Sequence, residues 1–366
     1  MKKIEKEIDQ NRRKIHTDAY PMSIGEIINL YRDKEIDIHP EFQRIYRWTD
    51  SQKSKLIESI LLGIPLPSIF VAQRDDGVWD VVDGLQRLST IFSFLGIFED
   101  ENKKIVPPLK LIGTEYIPSL EGIYWSHSNP ENEIPAEIKR AFKREKIDVK
   151  IIKKESDENA KYELFQRLNT GGSRLSEQEV RNCLLIMIDH KIYDWIKKLS
   201  ENEHFRSCLP LTIKQEQEQA YMEIVLRFVV YRHVKQDQIK KYTDLTELLT
   251  DAMKTVFLDE NFDKDAEEEI FNKVFMLLDD TLQDNSFKKY SVEKAKYLGP
   301  FSLSIFEVIA IGLSYSYKSD TELKDLINKT SKNLSNDEYF IDNTKYGTRS
   351  INRFSVLVKY GKEKFN

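Results

Sequence analysis

The chain has 366 residues, of which 40% are hydrophobic and 11% aromatic, and its formal net charge at pH 7 is −5. This length is enough for two domains of roughly 100–200 residues each, and the composition is that of a globular protein with a sizeable core. The acidic balance excludes the globally basic surface of a protein that binds nucleic acid without specificity, so any DNA contact would be local.

Residue types that form disulfides, metal sites and membrane segments are sparse. The two cysteines, Cys183 and Cys208, have no partner spacing, which argues against a disulfide framework and structural zinc. The six histidines form no metal-binding motif. The N-terminus lacks the apolar core of a signal peptide, and no apolar run reaches membrane-spanning length. These features predict a cytoplasmic protein that does not enter a membrane.

The first half of the chain mixes short helices and strands. Residues 1–19 are charged and weakly periodic, and we expect a helical or frayed arm. Capping boxes that begin at Ser23 and Thr49 each predict the start of a helix, and Gly63 is expected to end the second helix in a left-handed conformation. Alternating or apolar runs predict strands at residues 35–38, 68–73, 78–82 and 147–152.

From about residue 190 nearly every segment has helical spacing, glycines are rare, and no strand is predicted. The predicted helices cover residues 193–199, 215–231, 245–257, 268–282, 301–314 and 322–334. The second half is therefore predicted to be a helical domain.

The stretch from residue 79 to residue 91 carries the strongest local pattern. A short apolar strand ends near Val82, Asp83-Gly84 is turn chemistry, and apolar residues at helical spacing follow from Leu85. A strand is thus predicted to meet a helix N-terminus at Asp83.

Two interpretations of this junction are open. The free N–H groups and the dipole of a helix N-terminus favour an anion such as phosphate, and Arg87 would add guanidinium donors. Alternatively, Asp83 caps its own helix, and Gln86 and Arg87 lie on the solvent face.

Two further segments have the same ambiguity. In residues 42–48, Gln43 and Arg44 stand among aromatic side chains, which suits phosphate contact and base stacking or a loop anchored in the core. Residues 167–172 place Arg167 and Asn169 before two glycines, a pattern that suits an anion nest or a helix cap followed by a linker.

A basic segment covers residues 139–154, where eight Lys and Arg face two acids. It would follow a nucleic-acid backbone, or it is the solvated side of a helix and a strand.

Several of these motifs occur in one fixed order along the chain. They lie at residues 42–48, 55–70, 82–88, 165–172 and 175–182. In this order they closely resemble the N-terminal domain family of the GmrSD-type modification-dependent restriction systems, which is similar to the ParB/sulfiredoxin fold. The resemblance is strong over residues 20–190 and looser beyond them.

The family's hallmark is Asp-Gly-Gln-Gln-Arg, and the matching residues here are Asp83, Gly84, Leu85, Gln86 and Arg87. Leu85 replaces the first Gln. If that Gln contacts nucleotide or water in the family, this chain would bind nucleotide but hydrolyse it poorly. If the side chain of that Gln only packs against the protein, the substitution by leucine would not reduce hydrolysis.

The resemblance implies a fold and a domain layout. An N-terminal arm over residues 1–19 would precede an α+β, ParB/sulfiredoxin-like nucleotide-binding domain over residues 20–190. An all-α helical domain would follow over residues 191–366.

The resemblance also implies a site for a nucleoside triphosphate (NTP). Catalytic roles would fall to Asp83, Gln86 and Arg87, and Asp83 would also help to hold the Mg²⁺ that accompanies a triphosphate. The residues expected to contact the nucleotide are Gln43, Arg44, Gly84, Arg167, Asn169, Gly171 and Gly172.

The function implied is nucleotide binding with NTP hydrolysis, through positioning and charge neutralisation, that licenses a nuclease in defence against phage or foreign DNA. In the family the nuclease is often a C-terminal H-N-H-type domain. No histidine follows His233, so the chain resembles the regulatory half, with DNA and a separate nuclease as expected partners.

Two other functions stay open. The first is a non-enzymatic DNA-binding or adaptor protein that keeps the fold, which Leu85 suggests. The second is direct DNA nicking, for which no metal-binding carboxylate pair stands out. The nucleotide, the DNA preference and the oligomeric state are also open, and apolar helices of the second half would suit a homodimer interface.

Overall fold

The chain divides into two units, Met1–Leu175 and Ser176–Asn366. A computed structural model describes residues 4–5, 16–38, 48–100, 103–156 and 177–366. Among these residues the first unit combines a sheet with helices, and the second is built mostly of helices. The predicted order, a mixed α and β region followed by a helical region, is confirmed.

Five strands of the first unit form one sheet. They are β1 (Thr17–Ser23), β2 (Ile36–Asp37), β3 (Ile69–Gln73), β4 (Trp79–Asp83) and β5 (Lys146–Ile152). Their order is β1-β5-β3-β4-β2. β1 and β5 pair antiparallel, as do β3 and β4, whereas β3–β5 and β2–β4 are parallel. β4 is therefore an inner strand, and it ends at the Asp83 junction.

Among the described residues, several α-helices with defined bounds accompany the sheet. They are α1 (Ile24–Arg32), α2 (Asp50–Leu61), α3 (Leu85–Leu95) and α4 (Ala136–Arg144). The predicted caps are confirmed, because Ser23 Oγ accepts the Glu26 N–H and Thr49 forms a reciprocal box with Gln52. Gly63 after α2 has φ +67°, as expected of a left-handed cap.

One apolar core joins these helices to the sheet. Ile57 of α2, Leu88 and Phe92 of α3, and Val71 and Val149 of the sheet are almost completely buried in it. Full burial of a side chain of this size contributes about 1.5–3 kcal/mol. The core thus fixes α3, and with it the junction, against the sheet.

Strand β1 was not predicted, and it begins inside the segment expected to be an arm. It is an edge strand that pairs with β5, with Tyr20 opposite Val149. Met22 is its one buried residue, and Pro21 lies within it. Because the strand lacks alternation and contains a residue typical of strand edges, its sequence gives no strand pattern.

The helices of the second unit begin at Glu177. They are α5 (Glu177–Ile188), α6 (His190–Ser200), α7 (Glu203–Cys208), α8 (Ile213–Gln217), α9 (Ala220–His233), α10 (Gln236–Ile239), α11 (Leu245–Phe257), α12 (Lys264–Leu282), α13 (Leu303–Leu313), α14 (Asp320–Asn333), α15 (Glu338–Asn343) and α16 (Ser350–Phe365). The apolar helix α13 is buried within this unit from Ile305 to Leu313. None of the helices among the described residues is long and apolar enough to cross a membrane.

Two predictions for this unit were wrong in detail. It is not all-α, because β6 (Lys289–Ser291) and β7 (Lys296–Leu298) form a hairpin; strands of three residues are too short to show a pattern. The helix predicted at residues 215–231 is two helices, α8 and α9. The break comes from Gln219, whose φ of +61° is left-handed and interrupts a helix.

Helices α13 and α16 approach each other at two glycines. A Cβ atom on Gly361 would lie 2.3 Å from the Val308 carbonyl oxygen, and one on Gly312 would lie 2.5 Å from the Gly361 backbone. Glu307 of α13 is fully buried and accepts hydrogen bonds from Arg353 of α16. Small residues and a buried ion pair therefore hold this helix pair.

This close contact should reverse the usual effect of a glycine-to-alanine substitution on stability. Gly→Ala inside a helix ordinarily stabilises by about 1 kcal/mol, but Gly361→Ala must push two helices apart. We expect it to lower the free energy of unfolding in urea by about 2–3 kcal/mol. Lys359→Ala, on the exposed side of α16, is the control and should change stability by less than about 0.5 kcal/mol. A more stable Gly361→Ala variant would contradict the close packing.

Candidate functional site

The Asp83–Arg87 motif lies where β4 ends and α3 begins, as predicted. Gly84 is the residue before the helix and has φ +102°. A Cβ atom at this position would lie 2.4 Å from Ile69 Cγ2. The turn therefore requires glycine for two reasons: its backbone is left-handed, and a Cβ atom would collide with β3.

No side chain caps the N-terminus of α3. The first intrahelical bond at this end runs from the Leu88 N–H to the Gly84 carbonyl, at 3.0 Å. The N–H groups of the first helical turn have no intrahelical acceptor, and they coincide with the positive end of the helix dipole. The interpretation in which Asp83 caps its own helix is therefore wrong.

The Arg87 side chain turns back onto the protein. Its Nη1 donates to the Pro67 carbonyl and to the Ser68 carbonyl (3.2 Å), and its Nη2 donates to Asp83 Oδ2 at 3.0 Å. The side chain is 11% exposed. Burial lowers the pKa of the guanidinium, although the Asp83 carboxylate opposes this effect. In this conformation Arg87 positions the turn.

Asp83 has one engaged and one unengaged carboxylate oxygen. Oδ2 accepts from Arg87, whereas Oδ1 has no hydrogen bond with the described residues. The side chain is 44% exposed, so Oδ1 is open to a ligand or a hydrated cation.

Gln86 carries a donor without a partner. Its Nε2 is buried and makes no hydrogen bond, while its backbone carbonyl accepts from Thr90 Oγ1 at 2.7 Å. A buried unsatisfied amide donor costs about 1–3 kcal/mol, and native proteins retain few of them. A bound acceptor at the uncapped N-terminus of α3 would satisfy this donor.

Leu85, the departure from the family hallmark, packs against the core of the first unit and is partly buried. Its side chain therefore makes an apolar contact in this chain. The contact accounts for a leucine here, because a glutamine would place an amide against the same apolar surface.

An ion cluster near the start of β4 was not predicted. Arg74 Nε donates to Asp80 Oδ2 (2.8 Å) and its Nη2 to Asp37 Oδ2 (2.9 Å). Burial alone would lower the pKa of Arg74, but the bonds to the two carboxylates raise it. The cluster ties β2 to β4. A polar residue, Asp80, inside an apolar strand was the only sequence signal.

The other predicted site residues lie outside the described residues. They are Gln43, Arg44, Arg167, Asn169, Gly171 and Gly172. Their convergence with Asp83, Gly84, Gln86 and Arg87 stays a prediction.

The described part of the last family-like segment, residues 177–182, carries buried polar residues. Arg181 and Asn182, both in α5, are completely buried, and Arg181 Nη1 and Asn182 Nδ2 have no hydrogen-bond partner. Arg181 Nε donates to Gln178 (3.0 Å), and Nη2 lies 3.7 Å from Glu223. Burial lowers the pKa of Arg181. These residues form a polar cluster within the second unit.

Part of the predicted basic segment is engaged within the first unit. Lys139 pairs with Glu133, and Lys153 lies 3.1 Å from Asp18. Lys150 lies over the Phe70 ring. These contacts favour the interpretation of this segment as a structural and solvated surface, and DNA contact there stays a prediction.

Among the described residues no group of three or more His, Cys, Asp or Glu side chains could hold a metal ion. A Mg²⁺ that arrives with a triphosphate needs only one or two protein carboxylates, so the open Oδ1 of Asp83 fits such an ion.

Comparison with known proteins finds one family that resembles the N-terminal half of the chain. Residues 24–186 match the family model described as GmrSD restriction endonuclease, N-terminal domain. The match covers somewhat less than half of the chain and includes the whole Asp83–Arg87 motif. The family recognised from the motifs is thereby confirmed for this segment. No curated protein and no solved structure gives a significant match, so the ParB/sulfiredoxin-like fold stays a prediction.

Because Arg87 joins three protein groups, its loss should be felt in stability. We expect Arg87→Ala to lower the free energy of unfolding by about 2–4 kcal/mol, since hydrogen bonds to a charged group contribute about 1.5–3 kcal/mol each. Arg87→Lys keeps the charge but loses the planar fork and should recover less than half of this loss. Urea unfolding measures both. If Arg87→Ala is as stable as the wild type, the hydrogen bonds of Arg87 do not hold the turn.

Proposed function

We propose that this chain, with a GmrSD-like N-terminal segment, is the nucleotide-responsive regulatory protein of a DNA restriction or anti-phage type system. A nucleoside triphosphate would bind with its phosphates at the start of α3. Its hydrolysis would license a nuclease carried by a separate partner, and DNA would be the target of the assembly.

The observation that carries this proposal is the unpartnered Nε2 of Gln86 beside the uncapped N-terminus of α3. Each group is a hydrogen-bond donor, and the helix dipole adds positive potential, so the ligand that satisfies them is an anion with several oxygens. Phosphate has this chemistry. The match to the N-terminal domain of a restriction endonuclease supports a role in a nuclease system, and nucleotide control is part of our proposal.

Each motif residue then has a task. Gly84 shapes the turn, Arg87 holds the turn against β3, and Gln86 donates to a phosphate oxygen. Asp83 would hold Mg²⁺ through Oδ1, and this ion would neutralise charge on the phosphates. In line with the family resemblance, Gln43, Arg44, Arg167, Asn169, Gly171 and Gly172 would close the site around the nucleotide.

Gln86→Met tests the proposal, because it removes the amide donor at similar volume. If Nε2 serves a ligand, the variant should bind Mg²⁺–NTP about tenfold more weakly, as expected for loss of a hydrogen bond to a charged group. Its unfolding free energy without nucleotide should be unchanged or higher, because a buried unsatisfied donor is gone. Calorimetric titration and urea unfolding measure the two quantities.

The matched control for this test is Gln73→Met in β3, which leaves the motif unchanged. It should bind Mg²⁺–NTP as the wild type does. The proposal fails if the wild type binds no nucleotide, or if Gln86→Met binds nucleotide normally and is less stable.

The non-enzymatic alternative has one observation in its favour. Leu85 packs on the core where the family has a Gln, so the chain would bind nucleotide or DNA without turnover. Leu85→Gln addresses this point. We expect it to raise NTP turnover about tenfold if the family Gln aids the reaction, with a loss of about 1 kcal/mol in stability from reduced apolar burial.

Phosphate release by wild type and Leu85→Gln separates the two functions. Turnover by the wild type supports the hydrolase, and turnover only by Leu85→Gln supports a binding module. Absence of turnover in both, with DNA binding that nucleotide does not alter, would favour the adaptor. A plasmid-relaxation assay tests direct nicking.

A further inference from the structure

A cavity of about 390 Å³ opens on the first unit, away from the Asp83–Arg87 motif. The end of α2, the short turn Pro118–Leu120 and helix α4 enclose it, and its described lining is mainly aliphatic. Pockets for small ligands have about this volume and apolar character. No residue of the motif lines it.

Two carboxylates belong to the lining, and they differ in their contacts. Glu133 accepts the His127 backbone N–H (2.9 Å) and pairs with Lys139, so its charge is compensated within the protein. Glu145, at the end of α4, is exposed and forms no hydrogen bond or ion pair through its side chain with the described residues. The mouth of the cavity therefore carries one carboxylate without a direct ion-pair partner among the described residues.

The backbone adds potential of the same sign. Helix α2 reaches the cavity with its C-terminal end, since Leu61 is its last residue, whereas α4 lines the cavity along its whole length, from Pro135 before its start to Glu145 after its end. A helix C-terminus carries a partial negative charge and favours cations. No Lys or Arg is among the described lining residues. Lys139 and Lys143 lie over the Trp125 ring, and Lys139 also pairs with Glu133.

We propose that this cavity binds a small amphiphilic cation, with an apolar body between α2 and α4 and an ammonium or guanidinium group at Glu145. The aliphatic lining accepts the body, and the unpaired carboxylate of Glu145 together with the C-terminus of α2 selects the charge. This site is additional to the nucleotide site and does not depend on it.

Three probes of equal shape test the selectivity: 4-phenylbutylamine, 4-phenylbutanol and 4-phenylbutyrate. Isoleucine δ1-methyl NMR spectra of the full chain report on the cavity directly. Its lining includes Ile60, Ile117, Ile123, Ile134 and Ile138. We expect saturable shifts of these methyl signals, with the amine bound about threefold to fivefold tighter than the alcohol, and the acid weakest.

Two variants and a control separate the contributions of the Glu145 charge and of the cavity itself to probe binding. Glu145→Gln should abolish the preference for the amine over the alcohol. Glu137→Gln, on the same helix but outside the lining, should leave it unchanged. Ala141→Trp should fill the cavity and block all three probes, while methyl signals elsewhere confirm an intact fold.

The proposal is overturned if the wild type shows no saturable shift at amine concentrations on the order of 10 mM. It is also overturned if the acid binds as well as the amine, or if Glu145→Gln keeps the preference. Nucleotide titration of Ala141→Trp should match the wild type, so failure of this site and failure of the nucleotide site are distinguishable.

Discussion

The guanidinium of Arg87 is the interaction on which the candidate site depends. It joins the first turn of α3 to the end of β4 through Asp83, and to the segment that enters β3 through the carbonyls of Pro67 and Ser68. Gly84 completes this arrangement, because only a residue without Cβ allows the turn to pack on Ile69. Together they hold the N-terminus of α3 in a fixed place and leave it uncapped.

The polar groups of the motif divide into those that hold the protein and those that lack a partner. Arg87 and one oxygen of Asp83 have protein partners, whereas Gln86 Nε2 and the other Asp83 oxygen have none among the described residues. Sites that bind ligands retain such costly groups, and stability elsewhere offsets them. The buried core around Leu88 and Phe92 supplies that stability. This division supports a ligand at α3 and makes Arg87 a positioning residue.

The sequence predicted those parts of the fold whose signals are local. The capping residues Ser23 and Thr49, the left-handed Gly63 and the turn at Asp83 depend on neighbours within a few positions, and all are confirmed. Strand β1 was missed because an edge strand with Pro21 and one buried side chain has no periodicity. The partners of Arg87 and the Arg74 cluster depend on contacts between distant segments. The sequence indicated where the strand, the turn and the helix of the motif lie, but it could not tell which of the motif's donors are satisfied.

The most direct measurement is a crystal structure of the full chain with Mg²⁺ and a non-hydrolysable nucleoside triphosphate. The account predicts a phosphate oxygen at about 3 Å from Gln86 Nε2 and from a backbone nitrogen in the first turn of α3, with Arg87 still bonded to Pro67 and Ser68. A triphosphate bound elsewhere, with Gln86 Nε2 still lacking an acceptor, would contradict it.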